Sequence, residues 1–506
     1  MLGTVYSAGL THFDATLVKV EVDVSVGYPG WIMVGLAEKA VQESKERVGS
    51  ALRNTGLHIE ARKTTINLAP ATQKKTGNQY DLPIAIGLLL AHQALIHPGI
   101  GAFLFVGELS LTGELKPVHG TLLYAHLAQQ KNFRALICPK ANAREASLVT
   151  PLTIIGCESV AEVLDFLNEN KIPTPEVYNP KFFQSAKPQP DFCEVKGQLL
   201  AKRALEIAAA GQHHLIMIGT PGSGKTMLAS RLPSILPSLT HRQALETTKI
   251  YSAFGLTDTD NPLISIPPFR NPHHSISYAG LIGGGGFFSP GEATLAHNGI
   301  LFLDELPEFH RDVLQMLRQP LESGSVTLAR AKWRMKLPAR FQLAAAMNPC
   351  RCGWLGHPKR SCVCAPGNIF QYRNKISGPL LDRIDLHVEV SPLSEADLFE
   401  NIPGETSAQI RERVLNAREK QKERYAEIGI LCNAQLWGKH LARFCKLSDD
   451  AQKFFRKSFP LLNLSARAHD RILKVARTIA DLAGEETIEV EPIAEAIQYR
   501  CLDREQ

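Results

Sequence analysis

The sequence predicts a multidomain α/β protein built on a phosphate-binding core, and three stretches carry the prediction. Gly219-Thr220-Pro221-Gly222-Ser223-Gly224-Lys225-Thr226 fits the pattern G-x-x-x-x-G-K-[ST], follows the apolar run His214 to Ile218, and opens a helix at Lys225. Gly299-Ile300-Leu301-Phe302-Leu303-Asp304-Glu305 reads as a buried strand ending in two acids. Residues 1 to about 165 alternate strand-like and helix-like segments.

The first stretch suits the phosphates of ATP. Its glycines let backbone N–H groups face the anion, and the helix N-terminus adds partial positive charge. Lys225 can reach the β- and γ-phosphates, and Thr226 can hold Mg²⁺. In the second stretch Asp304 is placed to share that Mg²⁺ and Glu305 to polarise the attacking water. Together the motifs predict ATP hydrolysis and leave open what the energy drives.

At 506 residues the chain has room for about three domains. A 44% hydrophobic and 21% charged composition excludes a disordered or fibrous class. The longest apolar stretch, Leu82 to Ile96, contains Pro83, His92 and Gln93 and falls short of a membrane span. The first residues lack the basic-then-apolar order of a secretory signal. The expectation is a cytoplasmic protein with no membrane partner, whose ten cysteines are thiols and metal ligands. A net charge of +6 identifies no partner, so local clusters must.

In chain order, Thr16 to Val24 alternates strictly, as in a strand with one buried face. Val41 to Leu52 reads as an amphipathic helix, and Asp81 to Ala91 as a buried helix with Pro83 in its first turn. Gly107 to Val118 reads as strand, glycine turn and strand. The last two segments resemble the proteolytic domain of Lon proteases, which implies an S5-like α+β fold. The resemblance stops at the chemistry: Gly77 to Asp81 has no serine at the nucleophile's place, and Gly120 to Leu123 has no lysine at the base's place. A dyad needs both members, so residues 1–167 are expected to form a Lon-like scaffold without protease activity.

Five prolines among polar residues mark 168–191 as a semi-rigid linker. The ATPase core is then expected over 192–392. Arg270 to Glu292, with His273-His274 and four consecutive glycines, is too glycine-rich for regular structure and reads as a mobile surface loop. The histidine pair suits hydrogen bonding, DNA contact or a plain loop role better than metal. Ser325 to Arg340 carries Arg330, Lys332, Arg334, Lys336 and Arg340, no acid, and Trp333 in its middle. Cations alternating with apolar residues would put four charges on one face of a strand or hairpin. Such a face suits a phosphate backbone, with Trp333 on a base, and equally suits a plain solvated ribbon.

Gln342 to Met347 reads as a buried strand that delivers Asn348, a candidate γ-phosphate sensor. Cys350, Cys352, Cys362 and Cys364, four thiols within fifteen residues, predict a closed structural Zn²⁺ site, with an iron–sulfur cluster or unligated thiols as the lesser alternatives. Arg383 is either salt-bridged or aimed at a neighbouring subunit's phosphate. Residues 393–506 are expected to form a helical lid, with Ser407 to Tyr425 a long charged helix and Leu464 to Leu482 amphipathic.

In combination these motifs, with G-I-L-F-L-D-E-L-P-E-F, L-L-D-R-I-D and V-A-R-T-I-A-D-L, resemble the competence-associated, magnesium chelatase-like AAA+ proteins of the ComM/YifB family over essentially the whole chain. The resemblance implies a homo-hexameric ring with ATP between subunits. By the same resemblance Asn348 is the first sensor, Arg383 an arginine finger given in trans, and Arg467 or, competing with it, Arg471 the second sensor on the lid. The insert and the hairpin with Arg330, Lys332, Trp333 and Arg334 would project into a pore holding single-stranded or branched DNA. The implied activity is ATP-driven branch migration in natural transformation, with recombination proteins as partners of the N-terminal domain. A metal-insertion motor and an ATP-dependent protein-remodelling factor are the alternatives.

Overall fold

The computed structural model describes the chain apart from residues 12, 58, 170–172, 179–188, 286–288, 331–332, 394–403, 462–464 and 504–506. The chain divides into two compact units, Met1–Ser185 with Thr240–Ser265, and Ala186–Leu239 with Ile266–Gln506. Much of the expected linker at 168–191 lies outside the described residues. No helix of the described residues is long and apolar enough to cross a membrane.

The first unit is built on a seven-stranded mixed sheet in the order Gly30–Val34, Lys63–Ala69, Asp14–Ser25, Leu2–Thr11, Phe103–Phe105, Ala135–Pro139, Thr153–Cys157. Asp14–Ser25 turns Val18, Val20, Val22 and Val24 inward, as its period-two pattern demands. The helix Asp81–Ala91 packs on these strands. Gly87 meets the strand so closely that a Cβ there would stand 2.8 Å from Val22 Cγ2. Its first residue, buried Asp81, accepts from Arg47 Nε at 2.6 Å and from the Leu109 amide at 3.2 Å. That carboxylate ties the Ser44–Asn54 helix and the Glu108–Leu109/Leu115–Lys116 hairpin to the sheet. In the two segments that lack a dyad, the buried Gln79 amide donates to Thr76 O at 2.9 Å and Thr121 Oγ1 donates to Val118 O at 3.2 Å.

Residues 240–265 fall in the sequence span assigned to the ATPase core, yet they cluster with the first unit. Their helix, His241–Ala253, starts in a capping box between Thr240 and Gln243. The buried Glu145 carboxylate accepts from Ser252 Oγ, from Thr257 Oγ1 at 3.2 Å and from the Leu122 amide at 3.0 Å. Burial raises its pKa. An amphipathic helix records that it has a buried face and not which core receives it, so periodicity could not place this one.

The second unit has a five-stranded parallel sheet in the order Phe269–Arg270, Ile300–Leu303, Gln342–Met347, Leu215–Gly219, Leu386–Val390. Parallel order puts the carboxyl ends of three adjacent strands side by side, and those ends carry Gly219, Asp304 and Asn348. The C-terminal helices share this core. Ser407–Arg424 buries Ile410, Val414 and Ala417, and Ala466–Ala483 buries Ile472, Val475 and Ile479 against it.

The glycine-rich insert differs from the expected mobile loop. Its described part forms a helix, Tyr278–Ile282, and an antiparallel pair, Gly283–Gly284 with Ser289–Pro290; Leu281 to Gly284 are buried. The glycines permit close packing: a Cβ on Gly291 would lie 2.2 Å from the Ile282 carbonyl carbon. The basic stretch forms an antiparallel strand pair, Ser325–Arg330 with Trp333–Pro338, whose register puts position 330 on the opposite face from positions 334 and 336. Pairing places positions 330 and 333 on the face of buried Val326, Leu328 and Leu337, and exposed Arg334 and Lys336 on the opposite one. Lys332 lies outside the described residues.

A buried carboxylate pins this sheet to its helical cover. Asp385 accepts from Arg471, from His213 Nδ1 at 3.2 Å and from the His214 amide at 3.3 Å, while His213 Nε2 lies 2.7 Å from Thr478 Oγ1. Burial by itself would raise the Asp385 pKa; Arg471 and the His213 hydrogen bond outweigh it and hold the carboxyl well below its ordinary range. Asp385→Asn should therefore cost about 3–5 kcal/mol and lower the melting temperature of the second unit at neutral pH. A carboxylate depressed in the folded state stabilises above its unfolded pKa of about 4 and loses that contribution as pH falls through the folded value. The gap between wild type and variant should narrow below about pH 4 in calorimetric scans. Equal melting temperatures at pH 7 would contradict this account of Asp385.

Candidate nucleotide site and metal centre

The phosphate loop runs from strand Leu215–Gly219 into helix Lys225–Ile235. Gly222 and Gly224 take φ values of +79° and +89°, which L-residues with side chains rarely adopt. At Gly219 a Cβ would lie 2.4 Å from Val390 O, so the strand end can only be glycine. Lys225 is buried, and its ammonium donates to Gly219 O at 2.7 Å, Thr220 O at 3.0 Å and Asn348 Oδ1 at 3.3 Å. Burial lowers its pKa, and Asp304 and Glu305 offset part of that. The buried hydroxyls Thr220 Oγ1 and Ser223 Oγ have no partner. A buried cation held by neutral oxygens, beside unpaired hydroxyls in a glycine cradle, fits the phosphates of a nucleotide.

Thr226 Oγ1 donates to Asp304 Oδ2 at 2.6 Å. The two oxygens are close enough to ligate one Mg²⁺ together, which needs oxygen at about 2.0–2.1 Å from the ion. Glu305 follows with φ +51°, a left-handed backbone unusual for glutamate, and its amide donates to Asp304 Oδ1 at 2.9 Å. Its carboxylate Oε2 lies 3.3 Å from His274 Nδ1. His274 is half-buried between His273, with ring centroids 4.0 Å apart, and the edge of Phe309. The sequence singled out this histidine pair as hydrogen-bonding or DNA-facing; the structure brings His274 to Glu305, a contact that no local pattern encodes.

Arg383 follows the short helix Gly378–Leu381 and is ion-paired with Glu322; its Nη1 donates to Pro379 O. Burial, then the neighbouring guanidinium groups of Arg467, Arg318 and Arg471, lowers its pKa. Of the two lid candidates, Arg471 is bound to buried Asp385, whereas Arg467 is two-thirds exposed and meets Asp382 Oδ2 at 2.9 Å. Arg318 joins the group through Ser377 Oγ at 3.0 Å and had no signal in the sequence. The buried Nε atoms of Arg318, Arg383 and Arg471 have no partner.

The four cysteines converge. Cys350, Cys352, Cys362 and Cys364 bring their sulfurs within 4.8 Å of one another, with three pairs at 3.3, 3.6 and 3.5 Å. Tetrahedral Zn–S bonds of about 2.3 Å place sulfurs about 3.8 Å apart, inside that range. A multi-iron cluster would spread its thiolates over several irons, which this compact set does not. Backbone amides of Trp354 and Val363 lower the Cys352 thiol below its ordinary range, and the Cys364 amide donates to Cys362 Sγ at 3.4 Å. Of the DNA candidates, Arg334 is exposed on the hairpin; Arg330 and Trp333 are placed by backbone register only.

Comparison with known proteins follows these features along the chain. Family descriptions match at residues 191–398 (magnesium chelatase, subunit ChlI), 20–142 (subunit ChlI of Mg-chelatase) and 404–500 (magnesium chelatase, subunit ChlI C-terminal). The chain is 47% identical to competence protein ComM of Haemophilus influenzae, covering 99% of this chain and 98% of that one. It is 42% identical to YifB of Escherichia coli over the same shares. Lon protease 2 of Bacillus subtilis matches at 32% identity over 145 residues, 27% of this chain and 26% of that protein. The chain belongs to the ComM/YifB family of magnesium chelatase-like AAA+ proteins.

Proposed function

We propose that this protein is an ATP-driven DNA motor, a hexameric helicase or branch-migration translocase acting in recombination and natural transformation in the cytoplasm. The observation that carries the reading is the arginine group of Arg318, Arg383 and Arg471, whose buried unpaired Nε atoms call for an anion, with exposed Arg467 beside them. In a ring, the γ-phosphate bound by a neighbouring subunit would supply it, with Arg383 as the finger and Arg467, the more exposed of the two candidates, as the second sensor. The competence name of a 47% identical relative supports a role in transformation. Exposed Arg334 and Lys336 on the hairpin supply a face for phosphate backbone.

In this mechanism Lys225 cradles the β- and γ-phosphates, Thr226 and Asp304 hold Mg²⁺, Asn348 reads the γ-phosphate through its contact with Lys225, and Glu305 orients the attacking water. Zn²⁺ at the four cysteines is structural, because four thiolates leave no open coordination position. The family's magnesium chelatase descriptions favour one other reading, a metal-insertion motor acting with partner subunits.

Glu305→Gln should retain nucleotide binding and slow steady-state phosphate release by about 10²–10⁴-fold. Unchanged turnover would remove Glu305 from the mechanism. Single-stranded, duplex or four-way-junction DNA should stimulate ATP hydrolysis, with binding that weakens steeply as salt rises. Changing Arg334 and Lys336 together to Ala should abolish the stimulation and reduce the salt slope by roughly one for each phosphate no longer neutralised. Hydrolysis indifferent to every DNA would favour the metal-insertion reading.

A further inference from the structure

We propose that the four-cysteine metal site is a clamp on the nucleotide site: a soft divalent ion, Zn²⁺ by its ligand set, holds the loop 350–364 against the phosphate loop, so that metal occupancy sets nucleotide affinity. The inference rests on the ATP reading given above. It begins from how little else holds this loop. Between residues 351 and 365 only Gly353 is buried. Trp354 is half-buried, with the Arg360 guanidinium 4.3 Å above its ring and His357 edge-on at 5.2 Å. Such surface contacts do not make a core. In a module of this size the metal is the core, and the loop loses its shape when the ion leaves.

Both ends of the loop's influence reach the nucleotide site. Cys350 is separated by one residue from Asn348, whose Oδ1 accepts from Lys225 at 3.3 Å. Pro349, between them, accepts through its carbonyl from Arg373 Nε at 3.2 Å. Further on, Gly353 takes φ +84° and lies against Pro221 of the phosphate loop. A Cβ there would stand 2.7 Å from both Cδ and Cγ of that ring. Gly219 and Thr220 from one loop and Pro349, Leu355 and Gly356 from the other line a shared cavity of about 210 Å³, which residues 389–392 and 501–502 also border.

The ion therefore braces the phosphate loop from outside at Pro221 and the sensor from behind at Asn348. Four thiolates exclude water from its coordination sphere, so its influence on ATP is mechanical. Loss of the ion frees the loop at the one place where phosphate-loop backbone geometry decides binding. Nucleotide binding should weaken while the parallel sheet, which has its own apolar core, stays folded.

The test uses the full chain loaded with Zn²⁺, stripped of metal under reducing conditions, and reloaded with Co²⁺, whose visible absorption reports four-thiolate tetrahedral binding. Affinity is read by titrating a fluorescent ATP analogue, and the fold by far-ultraviolet circular dichroism. Metal removal should weaken nucleotide binding about tenfold or more without loss of the helical and sheet signal, and reloading should restore it. Gly353→Ala should keep the Co²⁺ spectrum and still weaken nucleotide binding roughly tenfold, because its Cβ displaces Pro221 and its φ is strained. If the variant loses the Co²⁺ spectrum and the nucleotide together, the coupling stands. Equal affinity of loaded and stripped protein, or collapse of the fold on stripping, overturns the clamp and leaves the ATP reading intact. A wild-type chain without the four-thiolate spectrum overturns the metal site and the clamp with it. A metal-loaded chain that binds no nucleotide overturns the ATP reading and, with it, the clamp.

Discussion

The Lys225 ammonium is a cation buried at the end of a parallel strand, and the second unit is arranged to make that tenable. Three oxygens surround it, from Gly219, Thr220 and Asn348. They come from two adjacent strand ends, so the contacts exist only because Leu215–Gly219 and Gln342–Met347 pair in parallel register. Burial lowers its pKa, and Asp304 and Glu305 offset only part of that, because the oxygens in contact are neutral. A phosphate anion at the glycine cradle resolves the imbalance, and the fold thus stores its affinity for nucleotide in an electrostatic deficit.

The same logic operates twice more at the site. The arginine group around Arg383 concentrates positive charge with unpaired Nε atoms, held by the acids Glu322, Asp382 and Asp385. Asp385 commits its carboxylate to Arg471 and His213, which leaves Arg467, on the same helix, the freer of the two arginines. At Glu305 the contact with His274 holds the carboxylate away from a fixed role, and His274 belongs to the segment that leads into the glycine-rich insert.

Chemistry that depends on short contiguous motifs was legible in the sequence. The phosphate loop, the Asp304-Glu305 strand, the cysteine quartet and the buried helix at Asp81–Ala91 stand where their residues place them, because each is fixed by local geometry and one-dimensional spacing. Long-range placement was not legible. The helix His241–Ala253 sits between two ATPase motifs in sequence and joins the other unit through Glu145, a partner roughly a hundred residues away. The basic run misled for a local reason: one alternation was read across two separate strands, and their pairing register puts position 330 on the opposite face from Arg334. The insert's glycines signalled looseness, whereas Gly291 is glycine because backbone packs against it. Gly353 against Pro221 belongs to the same class, a close approach visible only once both loops are in place.

The central claim is that hydrolysis at this site moves DNA. Its most direct test is the conversion of a labelled mobile four-way junction to duplex products by the purified full chain, with ATP and with a non-hydrolysable analogue. The account predicts conversion with ATP alone, and none with the analogue. ATP hydrolysed in the presence of the junction, with the junction unmoved, would contradict it.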